Sequence, residues 1–468
     1  MRKSISVIAF VFSAVILQAQ SVTQRLQQAF SAFENDKQLQ HAISSLYVID
    51  AATGEVLFQK NSSVGLAPAS TQKIITSATA FELLGAGFRF KTEFELEQEP
   101  EANSGYARLV VTGFADPTFG SFRYTRTEEN NVLRFIIQQL QQKSIRPIES
   151  ISILSDSYDE RMIPGGWIYD DIGNYYGAGA AGFSWHENQY DLVLIPGAQK
   201  GDKTAVDSTN PHMPFFSFDN FCTTGAPGSG DQAYIYAYPG SDRAMIKGTI
   251  PAGVKRFTIS GAITQPGRVF GEQLARKLQQ NAMAAADIPV NVLTSNSGPG
   301  KIVRTPLFTF NSPSLDSVNY WFLKKSINLY GEALVKAIAY NARQYGSTDS
   351  GIAVLRRFWK KKGLDEEELN MYDGSGLSPQ NRVTTHAQVE ILSYARTRPW
   401  FNDFFNGFPE YNGMRIKSGT IGDVKGFCGY HRGAGGREYI FSFLVNNYSG
   451  KTSALVNKMY KVLDELKK

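Results

Sequence analysis

The amino-acid sequence predicts an α+β fold, a five-stranded antiparallel sheet flanked by helices and interrupted by a large, mostly β insertion. Three observations carry that prediction. The chain opens with a helical period followed by a hairpin pattern, and it closes with three alternating runs and a last helical period. Between them, residues 91–299 have a different texture, short apolar runs separated by Gly, Pro and Asp. At 468 residues the chain exceeds the usual size of one domain, and the intervening stretch is too long for a loop. The expected division is a leader over 1–20, one domain built from 21–90 and 300–468, and an inserted domain or pair of domains over 91–299.

Met1-Arg2-Lys3, the apolar run from Ile5 to Leu17 and the stretch Gln18-Ala19-Gln20-Ser21 have the three sections of a secretory leader, cleaved near Ala19 or Gln20. The apolar run is shorter than the roughly 20 residues a span needs. The mature protein is therefore expected without an integral membrane segment, in the periplasm or elsewhere in the cell envelope. Leu26, Phe30, Phe33 and Leu39 suit an amphipathic helix, and residues 43–49 and 56–58 suit a hairpin turning at Thr53-Gly54. Pro68 then precedes a helix expected from near Ser70 to Leu84, with Gly85 as its stop.

In the insertion, residues 91–96, 107–112, 148–154, 189–195 and 256–262 read as strands, and 131–142 and 271–285 as helices. The helical period returns after Arg304, with Tyr320, Leu323, Ile327, Leu334 and Ile338 along one long or broken segment. Ser326-Ile327-Asn328 lies in its middle, where Ser and Asn are poor formers, so a short loop between two helices is expected there. Asp373-Gly374-Ser375-Gly376-Leu377-Ser378-Pro379 reads as a tight turn and 384–395 as a helix capped by Thr384. A meander over 414–420, 426–431 and 439–445 joins the two N-terminal strands, and the helix over 452–466 is expected to pack on that sheet through Leu455, Met459, Val462 and Leu463.

The net charge is only +5, part of it in the leader, and the body has no long Lys/Arg run, which argues against a nucleic-acid partner. The five histidines are scattered and no His/Cys cluster has metal-ligand spacing, so neither a metal nor another cofactor is expected. Cys222 and Cys428 could pair in an oxidising compartment, but they fall in regions assigned to different domains, and two separate buried thiols are expected.

Chemistry concentrates at three places. Ser70 and Lys73 stand nearly one helical turn apart, so both project from one face, and a lysine whose pKa is lowered can deprotonate a serine. Unpaired N–H groups at the start of that helix suit an oxyanion. Ser326 and Asn328 form an S-x-N. Lys417-Ser418-Gly419-Thr420 lies on the first meander strand, where the lysine brings positive charge, the hydroxyls can bind a carboxylate and the glycine lets a substrate backbone approach. Each motif alone is weak; the three in this order, each on the element its role demands, are not. A fourth stretch, around Trp167, Asp170, Asp171 and Tyr176, gathers aromatics, carboxylates and glycines as a ligand loop would, although aromatics more often pack a core.

With S-x-x-K at Ser70, S-x-N at Ser326 and K-S-G at Lys417, the chain resembles the penicillin-recognising serine acyltransferases. It looks most like the class C low-molecular-mass penicillin-binding proteins, D-alanyl-D-alanine carboxypeptidase/endopeptidases with a large insertion after the nucleophile. Gly113-Phe114-Ala115-Asp116-Pro117-Thr118, Tyr176-Gly177-Ala178, Ser312-Pro313 and the run from Asp373 to Ser378 add to the likeness. The resemblance implies a serine β-lactamase/DD-peptidase-like domain acting on peptidoglycan peptides that end in D-Ala-D-Ala, and inhibited by β-lactam antibiotics. It makes Ser70 the nucleophile, Lys73 its base, Ser326 the relay to the leaving amine and Asn328 the holder of the substrate amide. Lys417 would supply positive potential, Ser418 and Thr420 would meet the terminal carboxylate, and the Ser70 and Thr420 amides would form the oxyanion hole. Trp167, Asp170 and Asp171 would receive the amine of a diaminopimelate side chain. One position departs: where many relatives carry an arginine after D-G-S-G-L-S, this chain has Pro379. A β-lactamase shares the motifs but needs a well-placed base for deacylation, and the large insertion argues against one; a catalytically silent cell-wall-binding protein would not need an intact Ser70 and Lys73.

Overall fold

A computed structural model describes residues 21–97, 105–293 and 304–468; the expected leader lies outside them. The N- and C-terminal parts of the chain share one antiparallel sheet. Its order is Glu410–Tyr411, Met414–Ile421, Val424–Arg432, Glu438–Asn446, Ile43–Asp50, Val56–Lys60, so a two-residue strand adds a sixth member to the expected five. Side chains alternate across it as the pleat requires. Leu46 and Val48 join Leu26, Phe30 and Phe33 of helix Val22–Glu34 and Leu455, Met459 and Val462 of helix Thr452–Leu463, while Tyr47 and Ile49 join the core on the opposite face. That second core holds Ile74, Ile75 and Ala78 of helix Lys73–Leu84, and beyond them Ala333, Leu334 and Ile338 of helix Asn328–Arg343. The catalytic candidates therefore stand between the sheet and a buried helical layer.

The insertion has a five-stranded mixed sheet of its own, in the order Val290–Leu293, Ile148–Leu154, Ala107–Gly113, Lys91–Glu97, Arg304–Asn311. Helices Glu129–Gln142 and Pro266–Gln280 pack on it through Val132, Ile136, Val269 and Leu274. The second helix was expected over 271–285. It starts earlier because Pro266 fits the first turn, and it ends at Asn281, before Ala282 takes a left-handed φ of 55°. Two smaller sheets complete the insertion: Phe257–Ala262, Gln189–Ile195 and Ala205–Asn210 make one, and Gln232–Tyr236 beside Arg243–Pro251 begins the other. The expected return at residue 300 is too early, because Arg304–Asn311 pairs with Lys91–Glu97. The crossing lies where Ser312 N donates to Phe90 O (2.9 Å) and Phe90 N donates to Ser312 Oγ (2.8 Å).

Cys222 and Cys428 are separate buried thiols. Among the described residues no helix is long and apolar enough to cross a membrane.

Candidate active site

Ser70 lies on a short 3-10 turn, Ala69–Gln72, and not on the α-helix proper, which begins at Lys73. The cause is tertiary. Ala69 has a φ of 47°, outside the helical region, and two glycines hold the turn from either side. A Cβ on Gly376 would stand 2.0 Å from Ala69 O, and one on Gly419 would stand 2.7–2.8 Å from Pro68 O, Ser70 N and Thr71 N. Gly419 thus admits the Ser70 turn to the strand edge.

Lys73 Nζ is fully buried and donates to Ser70 Oγ (2.9 Å), Asn328 Oδ1 (2.7 Å) and Ser375 O (2.7 Å). Asn328 is oriented in turn, its Nδ2 donating to Tyr176 O (2.7 Å). Burial brings the Lys73 ammonium down to about 7, with Asp373 and Glu332 pulling the other way. An amine has two N–H groups and one lone pair. With the N–H groups on Asn328 and Ser375, the lone pair of neutral Lys73 faces the Ser70 hydroxyl, which is the geometry of a general base.

The carboxylates behind Lys73 are themselves engaged. Asp373 Oδ1 accepts from Gln72 Nε2, Gly376 N and Asn381 Nδ2, and its Oδ2 accepts from Trp167 Nε1 and Ser378 N. Glu332 accepts the Gly374 amide with both oxygens (3.1 and 3.0 Å), and burial, then Asp373, raises its pKa. Together they set the turn whose Ser375 carbonyl holds Lys73.

Ser326-Ile327-Asn328 occupies the expected break between helices Leu315–Lys324 and Asn328–Arg343, with Ser326 at a left-handed φ of 59°. Lys417 Nζ donates to Ser326 Oγ (2.9 Å) and Ser418 O (2.7 Å). Burial, then the neighbouring Lys73, holds its ammonium well below the usual lysine range. A residue the motifs did not reveal stands alongside: Lys425 Nζ donates to Ser418 Oγ (2.7 Å) and Thr420 Oγ1 (2.9 Å), and burial lowers it to about 8. The hairpin register, which opposes Thr420 to Lys425, is the signal that could have found it.

Ser70, Ser326, Asn328, Thr420, Asp171 and Tyr176 line a cleft of about 850 Å³; Lys73, Lys417, Ser418 and Gly419 do not line it, and Lys73 and Lys417 reach it through their hydrogen bonds to Ser70 and Ser326. Trp167 and Asp170 do not line it. The Trp167 indole N–H, expected to serve a ligand, donates to Asp373 Oδ2 (2.9 Å) and ties the insertion to the catalytic turn. Asp170 lies beside Tyr236. Asp171 does reach the cleft, where burial raises its carboxyl while the Tyr176 hydroxyl opposes that rise. The cation absent at Pro379 is present three residues on: Arg382 lines the cleft, its Nη1 donating to Pro379 O and Asn381 O. Arg123 also lines it, its Nε held by both oxygens of buried Glu187 (2.9 and 3.1 Å). No local pattern joins Arg123 to Glu187.

Comparison with known proteins agrees with this geometry. D-Alanyl-D-alanine carboxypeptidase of Actinomadura sp. (strain R39) is 27% identical over 453 residues, covering 91% of this chain and 81% of the relative. D-Alanyl-D-alanine carboxypeptidase DacB of Haemophilus influenzae is 22% identical, covering 84% and 83%. The crystal structure of penicillin-binding protein 4 from H. influenzae has the same fold, with a TM-score of 0.77 at 18% identity over 94% of this chain and 99% of that one. The match to the D-Ala-D-Ala carboxypeptidase 3 (S13) family runs over residues 26–466, taking in the Ser70 turn, the Ser326 loop and the Lys417 strand alike, and the chain belongs to that family.

Proposed function

We propose that this protein is a serine D-Ala-D-Ala carboxypeptidase that cleaves peptidoglycan stem peptides through an acyl-enzyme on Ser70 and is inhibited by β-lactams. One observation carries the reading: Lys73 Nζ lies 2.9 Å from Ser70 Oγ, with its other two contacts on fixed acceptors. In this reading Lys73 takes the Ser70 proton as Oγ attacks the carbonyl between the terminal D-alanines. Amides of Ser70 and Thr420 receive the oxyanion. Ser326, hydrogen-bonded to Lys417, passes a proton to the departing amine, and Asn328 aligns both Lys73 and the substrate amide. Ser418 and Thr420, each holding Lys425, take the terminal carboxylate. Asp171 is the carboxyl available to an amine on the third stem residue, and Arg382 offers a charge near Pro379. The family's named carboxypeptidases support the substrate, and the relative solved with a novel β-lactam supports the inhibition. The cleft has room for more than a dipeptide, which supports DD-endopeptidase activity as well. The leader expected from the sequence of residues 1–20 supports a place in the cell envelope. Glu332 has both oxygens on the Gly374 amide, a poor post for activating water, and this disfavours a β-lactamase.

The test is covalent labelling by fluorescent penicillin together with mass analysis of defined muropeptides. Wild type should be labelled and release D-alanine. Ser70→Ala should do neither while unfolding at the same temperature; undiminished labelling of that variant would put the nucleophile elsewhere.

A further inference from the structure

Outside the catalytic machinery, one surface is left without a role: a run of exposed tyrosines, Tyr169, Tyr234 and Tyr238, around half-buried Tyr236, that begins in the cleft and continues along the insertion. Strand Gln232–Tyr236 is at the edge of its sheet. Ile235 is buried, which turns Tyr234 and Tyr236 to the opposite face, and Ala237, just past the strand's end, is buried while Tyr238 after it is exposed. Tyr238 is 62% exposed and Tyr234 45%. Tyr169, 44% exposed, lays its ring 5.1 Å from Tyr236 and 5.6 Å from Tyr238 at interplanar angles of 32° and 36°.

The frame beneath is stiff. Asn174 Oδ1 accepts the Ile235 amide (3.1 Å), and Gly173 packs so closely on the edge that a Cβ there would meet Ile235 O at 2.1 Å. The Asp170 carboxylate lies beside Tyr236, where burial and then this carboxylate raise the phenol's pKa. These rings are therefore flat apolar faces with polar rims, held in place before any ligand arrives, and exposing them has no evident value to the folded core.

Continuity identifies the occupant. Tyr234 belongs both to this run and to the cleft wall, which it shares with Ser70 and with Tyr176, whose carbonyl orients Asn328. If Asn328 holds the amide on the acyl side of the scissile bond, the run extends toward the end of the stem peptide that is joined to sugar. From Tyr234 to Tyr238 an extended chain covers roughly 13 Å, a length comparable to a few peptide residues. A pyranose presents what such a surface lacks, an apolar ring face edged by hydroxyl and amide groups.

We propose that Tyr169, Tyr234, Tyr236 and Tyr238 form a stacking platform for the glycan strand of the cell wall, a polymer of N-acetylated hexosamines, while its stem peptide lies in the cleft. The platform rests on the peptidase reading for its substrate. It makes the insertion a second, peptide-independent grip on the polymer. Short peptides without sugar bypass it.

The experiment titrates a peptide-free β-1,4-linked N-acetylglucosamine hexamer into the full chain by calorimetry. Wild type should bind it, and the pair Tyr169→Ala/Tyr238→Ala should bind it at least tenfold more weakly. The same pair should keep wild-type rates of penicillin labelling and of D-alanine release from a free pentapeptide, yet lose activity on intact peptidoglycan. Tyr238→Ala alone, at the most exposed of the four positions, should weaken the hexamer in the same direction and guards against misfolding of the pair. Absence of hexamer binding by labelled-competent wild type, or equal affinity in the variants, would overturn the platform and leave the peptidase reading standing. A wild-type dimer in the ultracentrifuge that the variants abolish would also overturn it, making the face a contact between copies. Failure of wild type to be labelled at all would instead count against the peptidase reading.

Discussion

Replacing Lys73 with methionine should destroy activity and change stability in a way that depends on pH. In the folded protein burial lowers the ammonium from 10.5 to about 7. At about 1.4 kcal/mol per tenfold in proton affinity, this lysine destabilises the fold by roughly 5 kcal/mol when both states are protonated, below pH 7. Between 7 and 10.5 the unfolded chain binds the proton and the folded chain does not, so stability rises with pH until the penalty is gone. Methionine has similar bulk and no charge. It leaves buried Ser375 O without its donor, a cost of about 1–3 kcal/mol that does not vary with pH, and takes a donor from part-buried Ser70 Oγ and Asn328 Oδ1 as well. The two contributions oppose each other, so the absolute change at one pH is uninformative, but the slope is not. Urea unfolding of both proteins at pH 6, 8 and 10 should show the gap moving toward wild type by roughly 4 kcal/mol over the range. Acylation by labelled penicillin should fall about 10²- to 10⁴-fold. In wild type, acylation should drop about tenfold for each pH unit below 7, as the base is protonated. Stability curves that stay parallel, or a variant acylated within tenfold of wild type, would refute the placing of a desolvated base at Ser70.

Gly419→Ala should slow penicillin acylation by about 10²-fold, because its Cβ must push the Ser70 and Thr71 amides away from the strand; a rate within threefold would mean the strand yields without moving the nucleophile. Lys425→Ala should raise KM for peptides with a free terminal carboxylate by roughly 10- to 100-fold, the range of a charge-assisted hydrogen bond, and leave amidated peptides nearly unaffected. In wild type that preference should fade as the pH rises through about 8, where Lys425 loses its charge. Lys417→Ala should harm both peptide classes alike, since Lys417 holds Ser326; steady-state kinetics on matched free and amidated peptides separates the two lysines.

The candidate catalytic groups stand out in the sequence because each cluster is local: Ser70 with Lys73, Ser326 with Asn328, Lys417 through Thr420. Their convergence required only that the predicted elements form. What the sequence hid was set by contacts between distant segments. Lys425 enters the site through the register of a hairpin whose strands were predicted but not aligned. The 3-10 turn at Ser70 follows from Gly376 and Gly419, which come from two other parts of the chain. Strand Arg304–Asn311 belongs to the insertion through a partner some two hundred residues earlier, so no change in local texture marks the crossing. Trp167 looks the same in sequence whether its N–H serves a ligand or the Asp373 carboxylate, and only the fold distinguishes the two.

These contacts also explain how three lysines can crowd one site. Lys73, Lys417 and Lys425 hydrogen-bond to hydroxyls, carbonyls and an amide oxygen, and none forms an ion pair among the described residues. A carboxylate touching Lys73 would raise its pKa and hold it protonated, useless as a base. Neutral acceptors orient the same nitrogen without that effect, and Asp373 and Glu332 are kept one residue back with their oxygens on other donors. The missing anion is then the substrate's own. In the proposed reading, a terminal carboxylate that reached Ser418 and Thr420 would restore the proton affinity of Lys425 beside them, so the cation that binds the peptide would be strengthened by the peptide's arrival. Lys73 makes no hydrogen bond to those hydroxyls, and so the proposed mechanism keeps one lysine charged for binding and another uncharged for chemistry.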